Sequence, residues 1–261
     1  MTRLLFLLVT LTVLLISGTA GAQTWLRLPA GEMVVDLGPG GERSRITVKV
    51  PYRIDWRETR FGLEFQLRAG LDPLLRAMNE QLWAAQDRAK CGDDLSSSPI
   101  SIGVQDGTAL IGTTVNYVTW ACTNIEVPKA DGLKITTQTR SVRNAVFGNA
   151  EQHCVALFQG RSGTGPVLVS ARKCLTRITD LNGYQPPAAD QIETQFFVLV
   201  EKLKDGIESR AGVAVASEIG PFTATALTFA PTADGSAEFV LSGNARLSGA
   251  GRANLRARSQ P

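Results

Sequence analysis

The sequence predicts an α+β fold: two long amphipathic helices packed on antiparallel, curved β-sheets. Ile46, Val48, Val50, Tyr52 and Ile54 alternate with Thr47, Lys49, Pro51, Arg53 and Asp55, the period of a strand with one buried face. Leu71, Leu75, Met78, Leu82, Ala85 and Ala89 form one stripe at helical spacing, and Ile192, Phe196, Leu199, Leu203 and Ile207 form another. Asp106-Gly107 and Asp234-Gly235 each separate two strand-like runs, which marks short hairpins.

In chain order, residues 1–22 read as a secretory signal. Arg3 precedes an apolar run at 4–16, and Ala20 and Ala22 match the small-residue cleavage pattern. The run falls short of the ~20 residues of a spanning helix, so no membrane span is expected after cleavage. Residues 23–180 are then expected to hold a helix and an antiparallel meander with two disulfides. Asn182-Gly183 and Pro186-Pro187 make 181–189 a linker. Residues 190–261 carry a second helix and a hairpin, continuous with the first domain or separate from it.

Within the first region, 26–36 reads as strand and Gly38-Pro39-Gly40-Gly41 as a turn. Pro51 places its own strand at an edge or ends it, because proline cannot donate to a ladder. The helix is expected over 73–91, with Asp72 as N-cap, Pro73 at the first helical position and Gly92 past the end. Strands are expected at 98–105, 108–121, 133–141, 152–159 and 167–176. The second helix is expected to stop at Gly212, and strands at 222–230 and from Ala237 onward follow it. Both halves share a helix-then-hairpin order, which admits a duplicated unit, although they have little residue identity.

The chain has four cysteines. Cys91 and Cys122 are equidistant from Asp106-Gly107, and Cys154 and Cys174 are equidistant from Thr164. Antiparallel strands bring equidistant residues face to face, so the pairs Cys91–Cys122 and Cys154–Cys174 are favoured among the three possible pairings. No Cys-x-x-Cys spacing occurs, which disfavours redox chemistry. An export signal with paired cysteines places the chain in the periplasm of a Gram-negative bacterium or outside the cell.

These features narrow the chemistry. The net charge of +3 includes the signal and gives no argument for nucleic-acid binding. His153 is the single histidine. It neighbours Cys154 on a strand, so the two side chains point to opposite faces and form no dyad. No calcium-loop or zinc spacing involves Asp93, Asp94, Asp131 or Asp180, and no metal or cofactor site is expected. The glycine-rich loop 160–166 leads into a strand, whereas a phosphate cradle leads into a helix. Trp25, Trp56, Trp83 and Trp120 could line a sugar or lipid site but read more simply as core. The expected function is an exported, non-catalytic binding or assembly module of the cell envelope, for a lipid-like or other apolar ligand or an envelope protein. The alternatives are a periplasmic hydrolase using paired carboxylates and a purely structural interaction partner.

Overall fold

The computed structural model describes residues 24–37, 46–84, 93–131, 134–161, 167–178 and 189–259. The expected signal, the Gly38–Gly41 turn, Cys91, the loop 162–166, Asp180 and the linker up to Ala188 lie outside those residues.

The first strands are β1 (Leu26–Arg27), β2 (Gly31–Asp36), β3 (Thr47–Thr59) and β4 (Gly62–Gly70). After α1 (Asp72–Ala84) come β5 (Asp93–Ser97), β6 (Ser101–Gln105), β7 (Thr108–Asp131), β8 (Lys134–Arg161) and β9 (Val167–Ile178). The chain closes with α2 (Ala189–Glu218), β10 (Phe222–Pro231), β11 (Ala237–Ala245) and α3 (Gly249–Arg258). Two antiparallel sheets result. One has six strands in the order β1-β3-β4-β11-β10, with β2 also on β3; the other has five in the order β5-β7-β8-β9, with β6 also on β7. Because β11 pairs with β4, the C-terminal hairpin completes the N-terminal sheet.

Alternation dictates which faces are covered. Along β3 and β4, Val50, Tyr52, Ile54, Trp56, Leu63, Phe65, Leu67 and Ala69 are buried. Their neighbours Arg53, Asp55, Arg57, Glu64, Gln66 and Arg68 lie on the other face. Pro51 pairs only with Glu32 of β2, since the pairing with β4 begins at Tyr52. It therefore sits where β3 has a neighbour on one side alone, as a residue without an N–H requires.

The helix α1 packs on β3 and on α2, while α2 packs on β2, β8 and β9. Leu71, Leu74, Leu75 and Met78 are buried, as are Ile192, Phe196, Leu199, Val200, Leu203, Ile207, Ala211 and Val215. The side chain of Leu82 and residues Ala85 and Ala89 lie outside the description. Core residues from both sheets and all three helices form one cluster.

Several expectations need correction. Among the described residues there is one long helix, α2 with 30 residues, while 13 residues of α1 are described and 85–91 of its expected span lie outside the description. Gly212 does not stop α2, because Ala214, Val215 and Ile219 continue the buried stripe beyond it, and packing outweighs the weak helix propensity of glycine. Gly206, also inside α2, is needed for close approach: a Cβ there would lie 2.4 Å from Val35 Cγ1. Both sheets are open, with separate edge strands, and neither is curled. The two helix-then-hairpin segments show no duplicated unit: β6–β7 belongs to one sheet and β10–β11 to the other. The strands expected at 133–141 and 152–159 are one strand, β8. Finally, α3 was not expected. Ser248 caps it, its hydroxyl accepting from the Gly251 amide, and Leu255 is its buried anchor.

Candidate functional site

The hairpin between β6 and β7 forms as the sequence expects. Asp106 and Gly107 both adopt positive φ, 50° and 74°, which is the type I′ geometry that joins two strands with two residues. From this turn the register of the second sheet is fixed, and with it the face on which each side chain stands.

Cys154 lies directly opposite Cys174 in the β8–β9 register, their Cα atoms are 4.1 Å apart, and the two are joined in a disulfide. Cys122 is also disulfide-bonded; Cys91, its expected partner, lies outside the described residues. No described cysteine is free. With Cys154 fully buried, His153 points to the outer face and is 48% exposed. The cysteine and histidine are separated by the sheet, and no thiol dyad can form.

His153 does have neighbours. Its Nδ1 is 3.0 Å from Thr114 Oγ1, and its Nε2 is 3.5 Å from Glu151 Oε1. Hydroxyl, imidazole and carboxylate thus follow the order of an acyl-transfer triad. Such chemistry also needs amide donors aimed at the developing oxyanion. Here the Thr114 amide donates to Ser98 Oγ at 2.9 Å, and the Ser98 amide donates to the Thr114 carbonyl at 2.8 Å. The half-exposed contact with Glu151 is of the kind that contributes little. The cluster orients His153 on the surface, and the Thr114 and Ser98 amides are already taken up between β7 and the segment before β6.

Around His153 the outer face is apolar. Leu110 stands beside Leu157, Gly112 beside Val155, and His153 beside Leu175, and all four aliphatic side chains are exposed. An open depression of about 430 Å³ runs over Ser98, Gly103, Leu110, Thr114 and His153. A second open depression, about 740 Å³, lies at the β3–β4 turn between Phe61, Glu64, Phe222, Asn244 and Arg246. Glu64 there is paired with Arg57 at 2.6 Å. Neither depression is lined by the buried stripes of α1 or α2.

Glu238 is the buried carboxylate among the described residues, and Arg68 and Arg53 hold it at 2.6 and 3.3 Å. Asp234 is a turn acid whose pKa is lowered by hydrogen bonds from the Thr232 hydroxyl and from the Ser236 side chain and amide. No cluster of three metal-ligating side chains occurs among the described residues. Of the tryptophans, Trp56 is core and donates from Nε1 to Ser259 Oγ at 2.7 Å. Trp25 and Trp120 are covered by the guanidinium groups of Arg57 and Arg143, and the side chain of Trp83 is not described.

The most unusual feature extends the strands expected at 108–121 and 133–141. Beyond the last rungs shared with β5 and β9, at Thr119 and Ala150, β7 and β8 continue as a two-stranded ribbon to Asp131 and Lys134. Twelve further residues of β7, from Trp120 to Asp131, span roughly 40 Å at strand rise. Both faces are open. Ile125, Glu126, Ile135, Thr136, Thr139 and Arg140 are all exposed, Ile135 at 81%. The sequence signal for it is Asp131-Gly132 between two β-rich runs, the same dipeptide that marks the other hairpins. Comparison with protein-family models, curated proteins and solved structures finds no match. No described helix is long and apolar enough to cross a membrane, and the Cys154–Cys174 bridge suits an oxidising compartment outside the cytoplasm.

Proposed function

We propose that the chain is an exported, non-catalytic assembly module of the bacterial cell envelope, and that the β7–β8 ribbon is its contact surface for another envelope protein. The exposure of both ribbon faces carries this reading. A two-stranded ribbon with no covered face is at best marginally stable in water, so a partner that covers it supplies what the fold withholds. The apolar outer face of the second sheet, centred on Leu157 and Leu175, adds a neighbouring patch of the kind associated with protein contacts. For a lipid-like ligand, the chemistry favoured by the sequence, the two depressions described above are open rather than enclosed. The hydrolase alternative draws no support from the positions of the described acids.

The test is photo-crosslinking in intact cells of the source bacterium. A photoreactive residue in place of Ile125 or Ile135 should give a discrete adduct heavier than the chain, and the same residue in place of Ser209 on α2 should not. Absence of an adduct from both ribbon positions, in a folded and exported protein, would overturn the reading.

A further inference from the structure

The two edges of the ribbon are chemically different. Asp131 pairs with Lys134 across two intervening residues, and in a hairpin of that length the closing pair exchanges both backbone hydrogen bonds. Alternation along the ladder then assigns every rung. Pairs 129/136, 127/138 and 125/140 bond to one another. Pairs 130/135, 128/137, 126/139 and 124/141 turn their amides and carbonyls outward. The Ser141 hydroxyl donates to Asn124 Oδ1 at 2.5 Å, consistent with the closer side chains of a pair without backbone bonds.

Pro128 falls on an outward rung of β7, opposite Thr137. The β7 edge therefore lacks an N–H in its middle, a device that blunts strand addition. The β8 edge has no such interruption: Ile135, Thr137, Thr139 and Ser141 each present an amide and a carbonyl. Among the described residues no strand takes up this edge between 134 and 146. That stretch contains no Asp or Glu; of its cations, Lys134 stands opposite Asp131 in the register and the Arg143 guanidinium lies over the Trp120 ring. Arg140 faces Ile125, with Thr123/Val142 and Val127/Gln138 on the adjoining rungs of the same face, so no carboxylate stands beside it across the ribbon.

We propose that the outer edge of β8 from Ile135 to Arg143 takes an extended, acidic segment of a partner protein as an added strand. The backbone groups supply the pairing and Arg140 selects for acidic side chains. This rests on the reading of the ribbon as a contact surface and specifies how the contact is made.

The probe is a fluorescent, end-blocked peptide alternating Thr and Glu, compared with a twin in which Lys replaces Glu, titrated with the full mature protein. The acidic peptide should bind at least about tenfold more tightly than the basic one, and raising salt from about 50 to about 200 mM should weaken it. Thr139→Pro, which removes an outward amide while leaving the bonds to β7 from 138 and 140, should abolish binding. Arg140→Glu should narrow or reverse the preference between the peptides, and it decides the matter if the proline variant does not fold. Equal affinity for the two peptides, no binding of the acidic one, or unchanged binding by folded Thr139→Pro overturns the proposal. So does self-association of the wild-type protein that Thr139→Pro relieves, which would make a second copy the occupant. Persistence of the Ile125 crosslink in Thr139→Pro would refute edge pairing yet leave the ribbon as the contact surface. Loss of the crosslink in the wild-type protein would remove both.

Discussion

Gly160 of β8 lies so close to Leu227 of β10 that a Cβ on the glycine would stand 1.4 Å from the Leu227 carbonyl oxygen. This contact joins the two sheets. Phe158 stacks on Phe229 with ring centroids 6.3 Å apart, and the Phe229 amide donates to the Gly107 carbonyl at 3.1 Å. Since the obstructing atom is backbone, no rotamer change can relieve it. Gly160→Ala should therefore force the sheets apart and cost about 1–3 kcal/mol or more, as other overpacked sites do. Gly103→Ala has open space around it and should stay within about 0.5 kcal/mol of the wild type. Urea midpoints of the two variants provide the comparison, and equal midpoints would show that the joint yields freely.

The stripe of α2 gives a second prediction. Phe196 is fully buried, and Leu199 and Leu203 are nearly or fully so. They contribute to the cluster that joins the helix to both sheets. Phe196→Ala should cost about 3–5 kcal/mol. Ser209→Ala, on the exposed side of the same helix, should change little. Calorimetric or denaturant unfolding distinguishes this from a helix whose stripe lines a ligand chamber, where truncation would cost less.

Local chemistry was legible where one residue type dictates one geometry. Asp106-Gly107 demanded two positive φ angles and received them, and the alternation of β3 placed Tyr52, Ile54 and Trp56 inside. The pairing of Cys154 with Cys174 followed from the same equidistance that sets an antiparallel register. What failed depended on partners distant in sequence. Gly212 lies inside a helix because Ala214 and Val215 find a core beyond it, and nothing local announces that core. The ribbon was legible in one strand alone: 133–141 lies in β8 as expected, whereas the continuation of β7 past Ala121 has no buried face to mark it. The surface around His153 was legible only in part. Its outward position followed from Cys154, but its neighbours Thr114 and Glu151 required the register of β7 and β8.

The cysteines supply a chemical check. Denatured but unreduced mature protein should react with no maleimide, because all four cysteines are expected in bridges and no described one is free. One or more labelled thiols per chain would contradict that state. Removal of the Cys154–Cys174 link alone, by Cys154→Ala/Cys174→Ala, should lower stability by about 3 kcal/mol on the chain-entropy account of a closed loop with a sequence separation of 20.

His153→Ala should leave the fold and the ribbon contact intact. The side chain is half exposed and its contacts with Thr114 and Glu151 are polar and solvated, so the expected change in stability is within about 0.5 kcal/mol. A larger loss, or loss of the Ile125 crosslink, would show that the outer sheet face takes part in binding through this residue.

Tyr117 offers a prediction in pH. It is buried beneath the second sheet, and its hydroxyl donates to Gln152 Oε1. Burial, followed by the negative charge of Asp190, raises the Tyr117 pKa well above its ordinary value near 10. The sign follows from linkage: the unfolded chain gives up this proton near pH 10, while the folded chain retains it to higher pH. The stabilisation is thus complete below about pH 10 and is lost as pH rises through the folded pKa. Tyr117→Phe should cost about 1 kcal/mol at neutral pH through the lost hydrogen bond. It should also flatten the decline in stability above about pH 10. Tyr52 contributes a smaller decline of its own, since burial, and then Glu218, raise its pKa as well. Denaturant midpoints on either side of pH 10, with phenolate absorbance followed in the same samples, measure both effects. A decline equally steep in the wild type and in Tyr117→Phe would mean that this phenol ionises in the folded protein as readily as in the unfolded chain.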